Sequence, residues 1–254
     1  DLVNLKVITL DYSQNLVRIP DLSSAPNLEK INLRWCSNLR ELPSSLQHLE
    51  KLTLLSVRDS ENFRSLPSFY KATSLTKLDL GGCSNLCSFP QIMGTMESLR
   101  HLYLSWIALK ELPSSIGNLI GLEHLNMNNC KHLVCLPDSF YKLKSLKTFH
   151  LRSCLRLEIF PEVMDTMEEL HELDLSGTAL KELPSSIDNL IGLKYLSLND
   201  CESLVCLPDS FYKLKSLLCL NLRGRSNLVV KNLFTAVGGR PVNPKDPQGL
   251  SSLK

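Results

Sequence analysis

The chain has 254 residues, of which 43% are hydrophobic and 21% are charged, and its 28 basic and 26 acidic residues leave a formal net charge of +2. This composition is typical of a folded protein and excludes a disordered or fibrous chain. Because no block of like charge stands out, neither nucleic acid nor a membrane surface is an expected partner. No apolar run approaches the roughly 18 residues of a membrane-spanning helix.

One consensus, Leu-x-x-Leu-x-Leu-x-x-Cys, recurs every 23 or 24 residues along the chain, with the cysteine present in five of the copies. A period of this length with this consensus is the signature of a leucine-rich repeat solenoid. We therefore predict an α/β fold: a curved horseshoe with a parallel concave β-sheet of about ten strands and short helical or irregular convex segments. The first leucines of the ten copies are Leu5, Leu28, Leu52, Leu75, Leu99, Leu122, Leu146, Leu170, Leu193 and Leu217.

The copy that starts at Leu122 illustrates how each repeat should fold. Apolar and polar residues alternate around Leu125 and Met127, which predicts a half-buried strand with these two side chains in the core. Cys130 follows at an inward turn, and Pro137 ends the return path, where no ladder donor is required. The third, fifth, seventh and eighth residues of each copy should then face outward.

The repeat array is predicted to occupy residues 1–228. It has no polar cap at its N-terminus, because Asp1 already lies within a repeat, and an array without caps is expected to aggregate. Glycine and proline residues interrupt the pattern near the other end, so residues 229–254 are predicted to form an irregular loop that leads into a further, truncated repeat. The stretches 111–146 and 182–217 match at an offset of 71 residues, which indicates duplication of a three-repeat block.

The nine cysteines favour a reducing compartment. Their number is odd, five of them share one turn position, and no Asn-x-Ser/Thr sequon occurs, whereas a secreted disulfide framework would pair its cysteines. We therefore predict a cytoplasmic protein, with the nucleus as a further compartment. The turn cysteines are interpreted as small apolar core residues, although Cys130 and Cys154 lie in neighbouring repeats, near enough for a disulfide.

Several longer phrases are shared between the copies. They are Leu-Pro-Ser-Ser-Ile at 112–116 and 183–187, Leu-Ser-Gly-Thr-Ala-Leu-Lys-Glu-Leu-Pro at 175–184, and Cys-Leu-Pro-Asp-Ser-Phe-Tyr-Lys-Leu at 135–143 and 206–214. With these phrases and cysteine at the turn, the array resembles the leucine-rich repeat region of plant TIR-type nucleotide-binding leucine-rich repeat (NLR) disease resistance proteins. Plant extracellular receptors more typically carry Gly-x-Ile-Pro after an Asn turn.

The resemblance implies a protein-recognition and autoinhibition module of an intracellular immune receptor. The implied partner is a protein: a pathogen effector, its host target, or the nucleotide-binding domain of the same receptor. No Gly-x-x-x-x-Gly-Lys-Ser/Thr phosphate loop and no clustered acid, base and nucleophile occur, so we assign no cofactor and expect no enzyme activity. Two alternatives stay open: a scaffold similar to Ras-group leucine-rich repeat proteins, and the substrate-recognition arm of a ubiquitin ligase.

Partner contacts are predicted on the concave face. Exposed Trp, Tyr and Arg residues are typical of binding hot spots, although single exposed aromatic residues are also normal surface. The predicted N-terminal patch consists of Tyr12, Arg34, Trp35 and Arg58, and the predicted middle patch of His101, Tyr103, Trp106 and His124. Arg152, Tyr195 and Arg223 complete the predicted set of contact residues.

Histidines raise the question of a metal site. His101 and His124 occupy the same position in adjacent repeats and should lie close together, with His150 one repeat further on. Because no carboxylate or thiolate completes a ligand set, we interpret these histidines as solvated surface residues and predict no metal.

Overall fold

The computed structural model describes residues 2–68 and 73–224 and contains one parallel β-sheet. Ten three-residue strands follow one another in chain order across this sheet, which confirms the predicted solenoid. The strands are β1 (Val7–Thr9), β2 (Lys30–Asn32), β3 (Leu54–Ser56), β4 (Lys77–Asp79), β5 (His101–Tyr103), β6 (His124–Asn126), β7 (Thr148–His150), β8 (Glu172–Asp174), β9 (Tyr195–Ser197) and β10 (Cys219–Asn221).

Each strand pairs with its neighbour in the register that the repeat dictates. His101 of β5, for example, lies beside His124 of β6, and Leu102 beside Leu125. Because side chains alternate along a strand, the middle residue enters the core while its two neighbours face the concave side. Leu125 is 1% exposed and Met127 is fully buried, as the apolar pattern predicts.

Short 3-10 helices cover the convex side. Within the described residues they are η1 (Ser44–His48), η2 (Ser114–Asn118), η3 (Asp138–Lys142), η4 (Ile187–Asn189) and η5 (Asp209–Lys213). A proline in the extended conformation directly precedes η1, η2, η3 and η5, because its fixed φ suits the entry into the turn. The predicted short convex segments are therefore present, and they are 3-10 rather than α-helical.

The five turn cysteines do more than fill the core. All are fully buried, and each donates its S–H to a carbonyl of the preceding repeat at 3.0–3.2 Å, as Cys130 does to Leu104 and Cys154 to Met127. All nine cysteines are free thiols, so the considered Cys130–Cys154 disulfide is not formed. Burial raises the pKa of Cys83 to about 12, which keeps this thiol protonated and able to donate.

The duplicated block is visible in the convex segments. The repeats that begin at Leu75 and Leu146 have no 3-10 helix on this side, whereas η2 packs against η3, and η4 against η5. On the convex side, residues 161–169 lie between η3 and η4 and have no regular secondary structure. The predicted loop and truncated repeat at 229–254 lie outside the described residues.

Candidate protein-binding surface

The structure divides the predicted contact residues between two locations. His101, Tyr103, His124 and Tyr195 lie in strands, on the concave face as predicted. The prediction was imprecise for the seventh and eighth positions, because each strand ends at the fifth residue of its repeat and these positions belong to the following turn. They form the edge of the sheet, here called the rim, and the predicted residues on it are Tyr12, Arg34, Trp35, Arg58, Trp106, Arg152 and Arg223.

Every described eighth position has the left-handed backbone conformation, with φ between 53° and 77°. Seven of the ten carry residues with short side chains, mostly Gly, Asn or Asp, which adopt this conformation readily: Asp59, Gly82, Asn129, Ser153, Gly177, Asp200 and Gly224. Tyr12, Trp35 and Trp106 are the other three, with φ of 63°, 59° and 62°. For such residues the left-handed conformation costs roughly 1–2 kcal/mol.

These three aromatic side chains are also exposed, at 67% for Tyr12, 47% for Trp35 and 54% for Trp106. A strained backbone at a residue whose side chain stays largely exposed is characteristic of functional sites. The sequence did not reveal this strain, although the frequent Gly, Asn and Asp residues at the eighth position were a signal that could have done so.

In the N-terminal patch, the rings of Tyr12 and Trp35 are parallel, with their centroids 6.2 Å apart. The Arg34 guanidinium contacts Asp11 Oδ2 through Nε at 3.0 Å and Nη2 at 2.6 Å, and the Arg34 backbone N–H donates to Asp11 Oδ1 at 2.9 Å. Hydrogen bonds from Arg34 hold the pKa of Asp11 below its ordinary value. Arg34 is thus a fixed and largely neutralised neighbour of the aromatic pair.

The other rim arginines differ in their partners. Arg58 Nε lies 3.2 Å from Asp59 Oδ2, and Arg58 Nη1 lies 3.8 Å from Oδ2 of Asp79, whose pKa is raised chiefly by burial. The backbone N–H of Arg152 donates to Asn128 Oδ1 at 2.8 Å, and that of Arg223 to Asn199 Oδ1 at 2.9 Å. An Asn or Asp side chain at the seventh position therefore orders the rim of the next repeat.

In the middle patch, the His101 and His124 rings stack at 4.9 Å, which confirms their predicted proximity. Tyr103 lies 6.2 Å from His101, and Lys77 Nζ lies 5.1 Å from the centre of the Tyr103 ring. Burial, reinforced by the nearby His124 and Lys77, lowers the pKa of His101. Trp106 belongs to the rim instead, where Lys131 Nζ lies 5.5 Å from its ring.

His150 does not extend this histidine pair. It lies beside Asn126 rather than beside His124, because it occupies the fifth position of its repeat and not the third. Its Nε2 is 3.0 Å from Glu172 Oε1. Within the two described ranges, no three His, Cys, Asp or Glu residues are grouped as a metal site would need.

Sequence reasoning missed a cleft of about 880 Å³ on the convex side, here called the outer groove. It lies where residues 161–169 separate η3 from η4. Its apolar lining includes Tyr141, Ile159, Phe160, Pro161, Met164 and Pro184. A comparison of the two copies of the duplicated block could have drawn attention to it, because they differ here. A smaller cleft of about 460 Å³ lies on the rim beside Gly177 and Ala179.

Models of known families match most of the repeat array. A leucine-rich repeat region model matches residues 62–176, a model of the leucine-rich repeats of RPS4B-like disease resistance proteins matches 142–241, and a single-repeat model matches 27–49. The leucine-rich repeat domain of the type III effector XopL superposes with a TM-score of 0.71 at 25% identity, over 84% of this chain and 74% of that one. The chain is therefore a leucine-rich repeat protein.

Curated relatives narrow this class. Disease resistance protein RML1B of Arabidopsis thaliana is 51% identical over 55 residues, which are 22% of this chain and 5% of that protein. Disease resistance protein RPS6 of the same plant is 55% identical over 51 residues, or 20% of this chain and 4% of that protein. Over these stretches the chain is similar to the leucine-rich repeat regions of plant disease resistance proteins, and it spans only a small part of the length of these relatives.

Arrays of this family typically serve as protein-interaction modules. A chain of the Toll–Spatzle complex, described as a hub in Drosophila development and innate immunity, shares the fold, with a TM-score of 0.67 at 20% identity over 92% of this chain and 34% of that one. Among residues 2–68 and 73–224, no helix has the length and apolar character needed to cross a bilayer.

Proposed function

We propose that this chain is the recognition module of an intracellular plant immune receptor and that it binds its partner through the rim and the adjoining concave face. The partner is a pathogen effector, a host protein that the effector modifies, or the nucleotide-binding domain of the same receptor. In the last case the same contact serves autoinhibition. We place this activity in the cytoplasm, with the nucleus as a second compartment, and assign no cofactor to the chain.

The left-handed conformation of Tyr12, Trp35 and Trp106 carries the proposal. An Asn or Gly residue would satisfy the backbone at these positions with less strain. Large aromatic side chains that are half exposed contribute most when a partner covers them, since desolvated Trp and Tyr residues dominate binding energies. Arg34 and Arg58 stand beside these rings, held by carboxylates, so they are positioned before a partner arrives.

The test is affinity capture from plant tissue, with and without infection, followed by binding measurements on each purified partner. The double variant Trp35→Asn/Trp106→Asn should lose the partner, because it removes the two rings and leaves a residue suited to the backbone. Ser153→Asn is the matched control, since it changes another left-handed rim position that has no aromatic ring. Equal capture by both variants would refute the rim as the recognition surface. The isolated nucleotide-binding domain, used as a second probe, separates autoinhibition from effector sensing.

A further inference from the structure

The outer groove exposes large apolar side chains far from the concave face. Ile159 and Met164 are each 69% exposed although both are aliphatic, and Pro161 and Tyr141 continue the same apolar lining. Its volume of about 880 Å³ lies within the range of ligand-binding clefts. Exposed apolar surface that is concentrated in a concave cleft marks an interaction site more often than scattered single residues do.

Hydrogen bonds to the next repeat hold the groove in shape. The Glu162 carboxylate accepts bonds from the backbone N–H groups of Ser185 and Ser186 at 3.1 and 3.0 Å, and also from both hydroxyls. The Val163 N–H donates to Ser186 Oγ at 2.7 Å, and Asn189 Nδ2 donates to the Val163 carbonyl at 2.6 Å. The segment that replaces a 3-10 helix is therefore fixed, and a partner would meet a preformed groove.

The duplicated block provides an internal comparison. The repeat that begins at Leu75, here called the first copy, corresponds to the repeat of the outer groove, which begins at Leu146, at the same offset of 71 residues. In the first copy, the Ile92 N–H donates to Ser115 Oγ at 2.9 Å, and Asn118 Nδ2 donates to the Ile92 carbonyl at 3.0 Å, so the scaffold is the same. Met93 is 64% exposed, like Met164.

The two copies differ in their groove chemistry. Cys87, Ser88 and Gln91 of the first copy correspond to Glu158, Ile159 and Glu162 of the second. Because the first copy adopts the same backbone without them, folding does not require the isoleucine or the two glutamates.

The charge of the outer groove is predominantly negative. Its acidic lining residues are Asp138, Glu158, Glu162 and Glu182, against the single cation Lys181. Lys181 Nζ lies 2.6 Å from Glu158 Oε2 and neutralises that carboxylate. Hydrogen bonds from Lys181 lower the pKa of Glu158, and those from Ser186 and Ser185 lower that of Glu162, so both are ionised at neutral pH. A complementary ligand combines aliphatic side chains with basic ones.

We propose that the outer groove is a second protein-docking site, separate from the concave face and rim, and that it binds a short peptide segment in which aliphatic residues lie between lysines or arginines. Ile159 and Met164 contact the aliphatic side chains, and Glu162 and Glu182 attract the basic ones. The module then holds two proteins at once, one on each side of its core.

The first experiment measures binding of a fluorescein-labelled peptide, Lys-Leu-Lys-Val-Lys-Leu-Lys, to the whole chain by fluorescence anisotropy at about 0.1 M salt. Two comparison peptides carry Glu in place of every Lys, or Ser in place of every aliphatic residue. We expect both to bind about tenfold more weakly or worse, because each lacks one half of the complementarity. Equal binding of all three peptides, or no binding of the first, would overturn the proposal.

Variants locate the site. Ile159→Ser with Glu162→Gln introduces the first-copy residues at two of the three differing positions and should weaken binding of the basic peptide about tenfold. The melting temperature should change little, because Ser88 and Gln91 occupy the same backbone in the first copy. The control, Met93→Ser, changes the corresponding surface of the first copy and should leave binding intact. The reciprocal exchange, Ser88→Ile with Gln91→Glu, should create a second binding site. Loss of binding in the control alone would place the peptide elsewhere. Trp35→Asn should retain the peptide, which separates this proposal from recognition at the rim.

Discussion

Replacement of Trp35 by Asn should weaken partner binding strongly while leaving the fold almost as stable as before. At φ 59°, release of the left-handed strain returns roughly 1–2 kcal/mol, because Asn tolerates this conformation. The substitution also removes a stabilising contact. Trp35 is 47% exposed, and its ring stacks on that of Tyr12 with the centroids 6.2 Å apart, a contact worth about 0.5–1.5 kcal/mol as an aromatic pair. With these two terms, the free energy of unfolding should change by between a loss of about 0.5 kcal/mol and a gain of about 1.5 kcal/mol.

Binding should respond much more. Truncation of a hot-spot tryptophan reduces the binding free energy by about 2 kcal/mol or more, which corresponds to a Kd that is roughly 30-fold higher. Urea denaturation followed by circular dichroism measures stability, and calorimetry with the captured partner measures affinity. Two comparators calibrate the scale. Leu125→Ala in the core should cost about 2–5 kcal/mol, and Asn129→Ala, at another left-handed position, about 1 kcal/mol. A loss of more than about 3 kcal/mol for Trp35→Asn would refute the reasoning, because Trp35 would then be a structural residue.

Three further predictions concern the fold and its response to pH. Cys130→Val should destabilise the chain by about 1–3 kcal/mol in urea denaturation, because the Leu104 carbonyl loses its buried donor, whereas Cys130→Ser should be milder; equal effects would contradict a role for the S–H group. His101 has a lowered pKa in the folded chain, so the unfolded chain binds more protons and stability should fall as the pH drops through about 6.5 towards the folded pKa. The melting temperatures at pH 7.5 and pH 5.5 should therefore differ less in His101→Gln than in the unchanged chain. An equal difference in both would show that His101 does not cause the pH dependence. The pKa of Asp11 is also lowered, here by Arg34, so its stabilisation is present above about pH 4 and lost below it. In Asp11→Asn, the melting temperature should accordingly fall less between pH 4 and pH 2 than it does in the unchanged chain. An equal fall in both would argue against the ion pair.

The repeat period by itself determined most of the architecture. Leucines at the first, fourth and sixth positions cannot be buried within one copy, so stacking of the copies is the arrangement that removes them from water. Strand order, parallel pairing and the contact between His101 and His124 all follow from equal spacing along the sequence. The burial of the turn cysteines follows in the same way, since these residues share one position in each repeat.

Tertiary structure alone decided the features that depend on conformation or on neighbours from other repeats. The alternation of apolar and polar residues along a strand does not specify which residue adopts the left-handed conformation. The strain at Trp35 and Trp106 is therefore evident only from their φ angles in the structure. The sequence indicated Arg34 only as a contact residue, and the structure shows that Asp11, one repeat earlier, pairs with its guanidinium. The outer groove lies where residues 161–169 form an irregular segment between η3 and η4. Such a cavity depends on packing between repeats, which the periodicity of a single repeat does not encode.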